Sequence, residues 1–291
     1  LEYTTVRRAR MKKKMSIIIA GILFLAGLSL LLYPLVANQW NTYRQSRLIS
    51  DYEKVVSDMK PEDYTEEWEA AREFDSTLVQ NNIYGDVFGS DDTQIEDTDY
   101  WKVLNVAEDG VMGYLSIPKI NVRLAIYHGT AEDVLQTGIG HMNGTSLPIG
   151  GESTHSVLAA HRGLPAARLF TDIDQMQQGD MFYIHVLDET LAYQVDQILT
   201  VLPSDTDSLQ IEKGKDYVTL VTCTPYAVNT HRLLVRGTRI PYEEAQKIDE
   251  EVGLQCTIPF NLILLIGGII AFIIIWVSIK YHKRRKEKKH E

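Results

Sequence analysis

A cysteine, a histidine and an arginine stand at the ends of strand-like runs, where enzymes often present reactive groups. Cys223 ends one run, His161 follows another, and Arg232 begins a third. A thiol becomes a strong nucleophile as the thiolate, which a nearby imidazolium favours, and the imidazolium can then protonate a leaving amine. Arginine keeps its proton and can hold a carbonyl or an oxyanion. These residue types predict thiol-dependent acyl transfer.

The spacing places two of these residues at one edge of a sheet. Arg232 lies nine residues after Cys223, and the intervening segment contains Pro225 and Asn229, which suit a loop between adjacent strands. Simpler explanations remain: a small core cysteine, a core histidine and a surface ion pair. The basic residues near Arg232 are weaker candidates for its role, although strand alternation puts one of them on its face. These neighbours are His231 and Arg236.

Other polar residues receive no catalytic role. We interpret His141, His155 and His185 as structural or substrate-contacting residues, because no histidine, cysteine or aspartate pair has metal-ligand spacing. The Gly138-Ile139-Gly140 run lacks the third glycine and the context of a dinucleotide-binding motif. These patterns predict neither a metal site nor a dinucleotide-binding site.

Eight short runs of β-forming residues alternate with turns after Val106, which predicts a mainly β closed barrel or sandwich. The runs cover residues 113–117, 122–127, 156–160, 181–186, 191–195, 198–202, 217–222 and 233–237. Helical insertions are expected at 132–138 and 166–172. Before the barrel, three-and-four apolar spacing predicts helices over 38–60 and 62–80, separated at Pro61. Residues 81–99 have loop composition.

Two uncharged stretches are long enough to cross a bilayer, which needs about 20 apolar residues. They cover residues 15–38 and 256–279, and basic clusters precede the first and follow the second. Because positive flanks stay cytoplasmic, both ends are expected inside the cell, and residues 40–255 outside it. The first stretch is also compatible with a signal peptide cleaved near Ala37.

These boundaries predict seven segments. They are a basic tail (1–15), a membrane anchor (16–37), a helical stalk with a loop (38–105), a catalytic barrel (106–242), a linker (243–256), a second membrane helix (257–279) and a basic tail (280–291). The tails hold 13 of the 29 basic residues and three of the 39 acidic residues, so the outer part has 16 basic and 36 acidic residues. An acidic outer part argues against a nucleic-acid partner.

The cysteine count is compatible with two interpretations. The chain has two cysteines, Cys223 in the predicted barrel and Cys256 at the membrane boundary. A disulfide between them is possible in an oxidising compartment. An outer part of about 200 residues can build a core without one, so we favour a free Cys223.

The residues around these positions resemble the sortase family. Thr219-Leu220-Val221-Thr222-Cys223 with Arg232 is similar to the sortase signature, and residues 151–163 are similar to its histidine region. The two membrane segments, the long stalk and the run Thr222-Cys223-Thr224-Pro225-Tyr226 most resemble class C sortases, the pilin polymerases of Gram-positive bacteria. The resemblance covers about residues 40–245.

The resemblance implies an eight-stranded sortase barrel and a membrane-bound cysteine transpeptidase without a cofactor. Cys223 would attack the threonine carbonyl of an LPxTG-like sorting signal, with His161 and Arg232 assisting. The thioacyl group would pass to a lysine of the next pilin subunit. The implied partners are pilins and the membrane, and the catalytic part would face the outside of the cell.

The resemblance also implies a lid, defined here as Asp86, Val87 and Phe88. Asp86 would reach the Cys223 and Arg232 region, and Phe88 would pack near Cys223 and His161. The family usually has proline at the position of Val87, so a looser lid is expected, because proline restricts the backbone.

Three alternatives remain compatible with these residues. A housekeeping-type sortase would attach surface proteins to a peptidoglycan precursor. A cysteine protease would pass the acyl group to water. The chain could also be an inactive membrane-anchored scaffold, which the presence of Cys223, His161 and Arg232 disfavours.

Overall fold

The structure is a computed structural model that describes residues 2–78, 86–88 and 99–246. The predicted second membrane helix at 257–279 and Cys256 lie outside these residues. So do the parts of the predicted loop on either side of the lid.

Eight strands form a closed barrel, which confirms the predicted mainly β architecture. The strands are β1 (Val111–Ile117), β2 (Val122–His128), β3 (Ile139–His141), β4 (Thr154–Ala159), β5 (Met181–Val186), β6 (Glu189–Val201), β7 (Asp216–Thr224) and β8 (His231–Ile240). Their order around the barrel is β1-β2-β3-β4-β7-β8-β6-β5. The pairs β2–β3 and β4–β7 are parallel, and the other pairs are antiparallel.

The predicted number of strands is correct, but two assignments are wrong. The runs 191–195 and 198–202 belong to the single strand β6, whose register with β8 shifts between Val195 and Gln197. Such an irregularity interrupts the alternation of side chains without ending the strand. The prediction also missed β3, because three residues are too short to show a period.

The barrel interior is apolar and closely packed. Phe182 on β5 and Tyr193 on β6 stack with their ring centroids 5.5 Å apart. Gly237 on β8 makes this packing possible, because a Cβ there would lie 2.5 Å from the Phe182 ring. This rigid wall holds the strand ends that carry the candidate site.

Two long helices precede the barrel. Helix α1 (Glu2–Asp58) runs without interruption through the predicted anchor and the first predicted stalk helix, and its part Ile18–Asp58 is long and apolar enough to cross a membrane. Helix α2 (Pro61–Thr77) begins at Pro61, as predicted, since proline suits the first helical turn. The backbone N–H of Lys60 donates to the Asp63 carboxylate at 3.0 Å and caps this helix.

Both helices pack against the barrel, α2 through Trp68 and Ala71 in the main apolar cluster. Ile49, Tyr52 and Val56 of α1 are buried in one cluster with residues of β1 and β2. The Tyr52 hydroxyl donates to the Met112 carbonyl at 3.1 Å and accepts from the Leu187 N–H at 2.8 Å. The second half of α1 is therefore packed into the same body as the barrel.

The two predicted helical insertions have different outcomes. Helix α3 (Glu132–Thr137) is confirmed. The helix predicted at 166–172 is wrong, since the segment forms turns and a short 3-10 helix follows at Ile173–Gln175. The Phe170 N–H donates to the His161 carbonyl at 3.2 Å, and Leu169 has a φ of 39°, so the helical hydrogen-bond pattern is broken.

Candidate active site

Cys223 and Arg232 lie directly opposite each other on neighbouring strands. Strands β7 and β8 are antiparallel, and their register pairs Cys223 with Arg232. The segment between them forms the loop expected from Pro225, whose carbonyl accepts the N–H groups of Val228 and Asn229, both at 3.0 Å. Cys223 is a free thiol and is 7% exposed.

His161 reaches the same end of the barrel from a parallel strand. Its strand β4 runs beside β7, with Ala159 paired to Val221, so both strands end at the same edge. The Ala160 N–H donates to the Val221 carbonyl at 3.2 Å, and the Thr222 hydroxyl donates to the Ala160 carbonyl at 2.8 Å. These bonds hold the backbone just before His161 against the backbone just before Cys223.

Glu132 is a residue of this site that the sequence analysis did not identify. His161 Nε2 lies 3.3 Å from each carboxylate oxygen of Glu132, which begins α3. The Gln136 side-chain amide donates to the same carboxylate at 2.8 Å, one turn along the helix. Residues 29 positions apart show no linear pattern, so only the folded chain reveals this contact.

The lid lies against the arginine. The Arg232 Nε–H donates to Asp86 Oδ1 at 2.7 Å, and a second guanidinium nitrogen pairs with Asp86 Oδ2. The remaining guanidinium nitrogen donates to the backbone carbonyls of Asn229 and His231 at 3.1 and 3.0 Å. Asp86 therefore occupies two guanidinium N–H groups that could otherwise donate to a substrate carbonyl.

The other two lid residues fill the space beside the arginine and the histidine. The Phe88 ring stacks on His161 with centroids 5.5 Å apart, and the Arg232 guanidinium lies 5.1 Å from the centre of the same ring. Val87 is buried in an apolar cluster that includes Leu135 and Val221. Although valine lacks the backbone restriction of proline, it secures the lid by burying an aliphatic side chain.

The lid also influences the titration of the site. Burial raises the pKa of the Cys223 thiol, the Arg232 charge opposes this rise, and the Asp86 carboxylate adds to it. Burial acts to lower the pKa of Arg232, but the hydrogen bond and charge of Asp86 outweigh that effect and raise it. With the lid in place, the thiol is held further from its nucleophilic form.

The three histidines interpreted above as structural or substrate-contacting have structural hydrogen bonds. Each uses both ring nitrogens inside the protein: His141 with Tyr100 and Ser146, His155 with Gln210 and Thr219, and His185 with Ser116 and Thr190. Burial lowers the pKa of His141 and of His185 to about 4. These rings are neutral at physiological pH and have no nitrogen left for a substrate.

The two weaker arginine-site candidates have other partners. Arg236 donates to the Asp196 carboxylate at 2.8 and 3.0 Å and to Glu212 at 3.4 Å. His231 is hydrogen-bonded to the Thr230 hydroxyl at 3.0 Å. Only Arg232 of these three residues contacts the lid.

Comparison with known proteins identifies the family. The family model described as "Sortase domain" matches residues 115–240. Sortase C-1 from Streptococcus pneumoniae is 47% identical, with a TM-score of 0.63, over 67% of this chain and 99% of that structure. Sortase C1 from Streptococcus agalactiae is 53% identical, with a TM-score of 0.60, over 67% of this chain and 98% of that structure.

More distant similarity extends to other sortases. The curated Sortase A of Bacillus anthracis is 28% identical over 50% of this chain and 69% of its own length. Sortase D of Bacillus subtilis is 28% identical over 44% of this chain and 63% of its own length. The barrel, the strand-end cysteine and these similarities together show that the chain belongs to the sortase family of cysteine-dependent transpeptidases, and its structural neighbours are class C sortases.

Proposed function

We propose that this protein is a membrane-anchored pilin polymerase that joins pilin subunits through LPxTG-like sorting signals. The observation that carries the proposal is the meeting of Cys223, Arg232 and the end of β4 at one barrel mouth, beneath the lid. One structural neighbour, 42% identical, is described as a pilus-related sortase C of Group B Streptococcus. That description concerns the neighbour and supports a pilin substrate for this chain.

In the first half-reaction, the Cys223 thiolate attacks the threonine carbonyl carbon of the sorting signal. The carbonyl oxygen becomes an oxyanion, which the Arg232 guanidinium stabilises, and one such donor contributes about 10²–10³ in rate. The C–N bond to glycine then breaks, and the leaving amine takes a proton from the His161 imidazolium. The products are a thioester on Cys223 and the free glycine-containing tail.

In the second half-reaction, a lysine amine of the next pilin attacks the thioester. The neutral His161 accepts the amine proton, the C–S bond breaks, and an isopeptide bond forms. The Cys223 thiolate and the His161 imidazolium are restored together. No cofactor takes part in either half-reaction.

The lid is an autoinhibitory gate in this proposal. Asp86 occupies the Arg232 donors that the oxyanion needs, and Phe88 covers the His161 ring. The lid must therefore leave before a sorting signal can bind, and its opening precedes chemistry. A substrate carboxylate or carbonyl would then replace Asp86 at the guanidinium.

The proposed location is the cell membrane, with two spans and the catalytic part outside. The apolar length of α1 supports the first span. The uncharged run at 256–279 and its basic flank support the second. Reporter fusions at the two termini, tested for cytoplasmic activity, check this topology.

The decisive experiment incubates the full-length protein in detergent with a pilin that carries an LPxTG-like signal and a matched pilin without it. Mass spectrometry is expected to find a thioacyl adduct on Cys223 and lysine-linked pilin multimers. Both products are expected to disappear in Cys223→Ala. An adduct that yields only hydrolysed pilin would contradict polymerisation of this pilin and indicate either a protease or a sortase that uses a different amine acceptor.

A further inference from the structure

Helix α1 leaves the predicted membrane at a defined position. No charged residue occurs between Lys14 and Arg44. At 1.5 Å per residue, the proposed anchor 16–37 spans about 33 Å, which matches a hydrocarbon core of about 30 Å. If α1 crosses the bilayer, as the proposed function requires, the turn from Asn38 to Arg44 lies at its outer surface.

Two exposed aromatic side chains lie in this same part of α1, at the proposed outer surface of the bilayer. Trp40 is 63% exposed and Tyr43 is 55% exposed, and their ring centroids lie 5.9 Å apart. Tryptophan and tyrosine concentrate at membrane interfaces, where the ring contacts the apolar region and the polar atom contacts water. This pair has the composition of an interfacial belt.

The catalytic body meets α1 at this level. The Arg168 N–H donates to the Asn38 side-chain oxygen at 3.0 Å, and the Gln45 side-chain amide donates to the Thr137 carbonyl at 2.7 Å. The segment 163–168 therefore lies beside the turn that emerges from the membrane. The same segment follows His161, and the Phe170 N–H returns to the His161 carbonyl.

A groove of about 440 Å³ lies between α1 and this segment. Its α1 wall includes Val36, Ala37 and Trp40, its opposite wall includes Ala166 and Ala167, and Arg44 stands one turn beyond Trp40. The volume lies in the range of about 300–1,000 Å³ typical of small-molecule sites. Within residues 2–78, 86–88 and 99–246, Arg44 forms no ion pair, so its charge is available to an anion.

We propose that this groove binds one phospholipid of the outer leaflet, with an acyl chain between Val36, Trp40 and Ala166 and the phosphate at Arg44. Three observations favour a lipid: the walls are mostly apolar, with Asn41 and Gln136 as polar members, the groove lies where the helix emerges, and a cation stands beside the apolar part. Bound lipid would join α1 to the segment after His161. It would thereby hold the catalytic mouth at a fixed height above the membrane.

The test uses the full-length protein in phosphatidylcholine vesicles containing phosphatidylglycerol and a phospholipid with a diazirine in its acyl chain. After illumination and trypsin digestion, label is expected on residues 163–168 as well as on α1. Ala166 is exposed, so Ala166→Trp fills the groove without entering the core. This variant is expected to lose at least about fivefold of the label on 163–168 and to retain the label on α1.

Arg44→Gln is the matched test of the phosphate contact. It is expected to reduce labelling of 163–168 about threefold when the diazirine lipid is phosphatidylglycerol, since one exposed charge is removed. Label on α1 with none on 163–168 would overturn the lipid site. Label on 163–168 that persists in Ala166→Trp would also overturn it, because surface lipid would then explain the signal. Absence of label on α1 would instead overturn the membrane-spanning helix, and with it the proposed topology.

Discussion

Two arginines on one strand make the same kind of ion pair in different settings. Arg232 and Arg236 share a face of β8, and their side chains are 10% and 14% exposed. Each pairs with an aspartate through two nitrogens, and each lies over an aromatic ring. Asp196 belongs to β6, which is hydrogen-bonded to β8, whereas Asp86 belongs to the lid, outside every strand.

The difference lies in what holds the acidic partner. The backbone of Asp196 belongs to β6 in the barrel wall, so its position beside Arg236 is fixed by the strands on either side of it. Asp86 can leave Arg232 when the lid moves, since its own contacts hold it there. A buried pair is costly to break by removing one partner, but substrate groups can replace Asp86. The Arg236–Asp196 pair therefore supports the fold, whereas the Arg232–Asp86 pair is suited to regulating access to the site.

The largest expected effect is a difference in kcat between variants of the two arginines. In an Asp86→Ala background, Arg232→Lys is expected to lower kcat for a sorting-signal peptide about 10²–10³-fold, because lysine cannot reproduce the planar guanidinium at the oxyanion. Arg236→Lys is expected to leave kcat within about twofold and to lower the free energy of unfolding by about 1 kcal/mol. Single-turnover cleavage and urea unfolding measure both. Equal losses of kcat in the two variants would contradict the assignment of a catalytic role to Arg232 alone of these two arginines.

Replacing each aspartate by alanine is expected to show a second difference between the two ion pairs, in the reactivity of Cys223. Asp86→Ala frees the lid from Arg232 and removes the carboxylate that raises the pKa of the Cys223 thiol, so alkylation by iodoacetamide at pH 7 is expected to be about tenfold faster. The alkylation profile is expected to move to lower pH, because the thiolate forms earlier. Phe88→Ala is expected to raise peptide cleavage in the same direction.

Asp196→Ala is the matched control for the lid variant. It removes an aspartate from an equivalent pair, so it is expected to destabilise the barrel without accelerating alkylation. If it accelerated alkylation as much as Asp86→Ala, general loosening of the barrel would explain the result, and the gate would be refuted.

The helix before the lid provides a pH-dependent test. Asp75 accepts the Leu147 N–H at 2.8 Å through Oδ1, and its buried Oδ2 has no hydrogen-bond partner among the described residues. Burial raises the pKa of Asp75 to about 7. The folded state thus holds a proton that the unfolded chain releases near pH 4, and this contribution to stability is lost as pH rises from about 4 to about 7.

Asp75→Asn is expected to remove this dependence. The amide keeps the acceptor for Leu147 and carries no charge, so at pH 8 the variant is expected to be more stable than the parent by about 4 kcal/mol. At pH 4 the difference is expected to vanish. Urea unfolding at both values measures it, and a constant difference at all pH values would show that the buried carboxyl is not the cause.

The smallest expected effect concerns Glu132. The Glu132 carboxylate lies 3.3 Å from His161 Nε2, so it can orient the ring that passes a proton to the leaving amine. Glu132→Gln is expected to lower kcat about three- to tenfold with KM unchanged, since a neutral amide of the same shape supplies no charge. Glu132→Asp is expected to recover part of the loss. A change in KM alone would place Glu132 in substrate binding instead.

Much of the candidate site was predictable because it depends on short-range patterns. Cys223 and Arg232 flank a loop of eight residues, so their opposition follows once two strands are recognised. The helix predicted at 166–172 was wrong because a hydrogen bond to His161 replaces the helical pattern there. Strand β6 was predicted as two strands because the irregularity near Asp196 interrupts the alternation of side chains.

Local patterns in the chain were enough to predict the apolar helix, the mainly β body and the strand-end positions of Cys223, His161 and Arg232, because periodicity and turn chemistry are local properties. Which charged groups meet depends on the folded chain. Glu132 reaches His161 across 29 positions, and Asp86 reaches Arg232 across 146. These contacts depend on how the barrel closes and where the lid packs. The periodicity of apolar residues along the sequence carries no information about either.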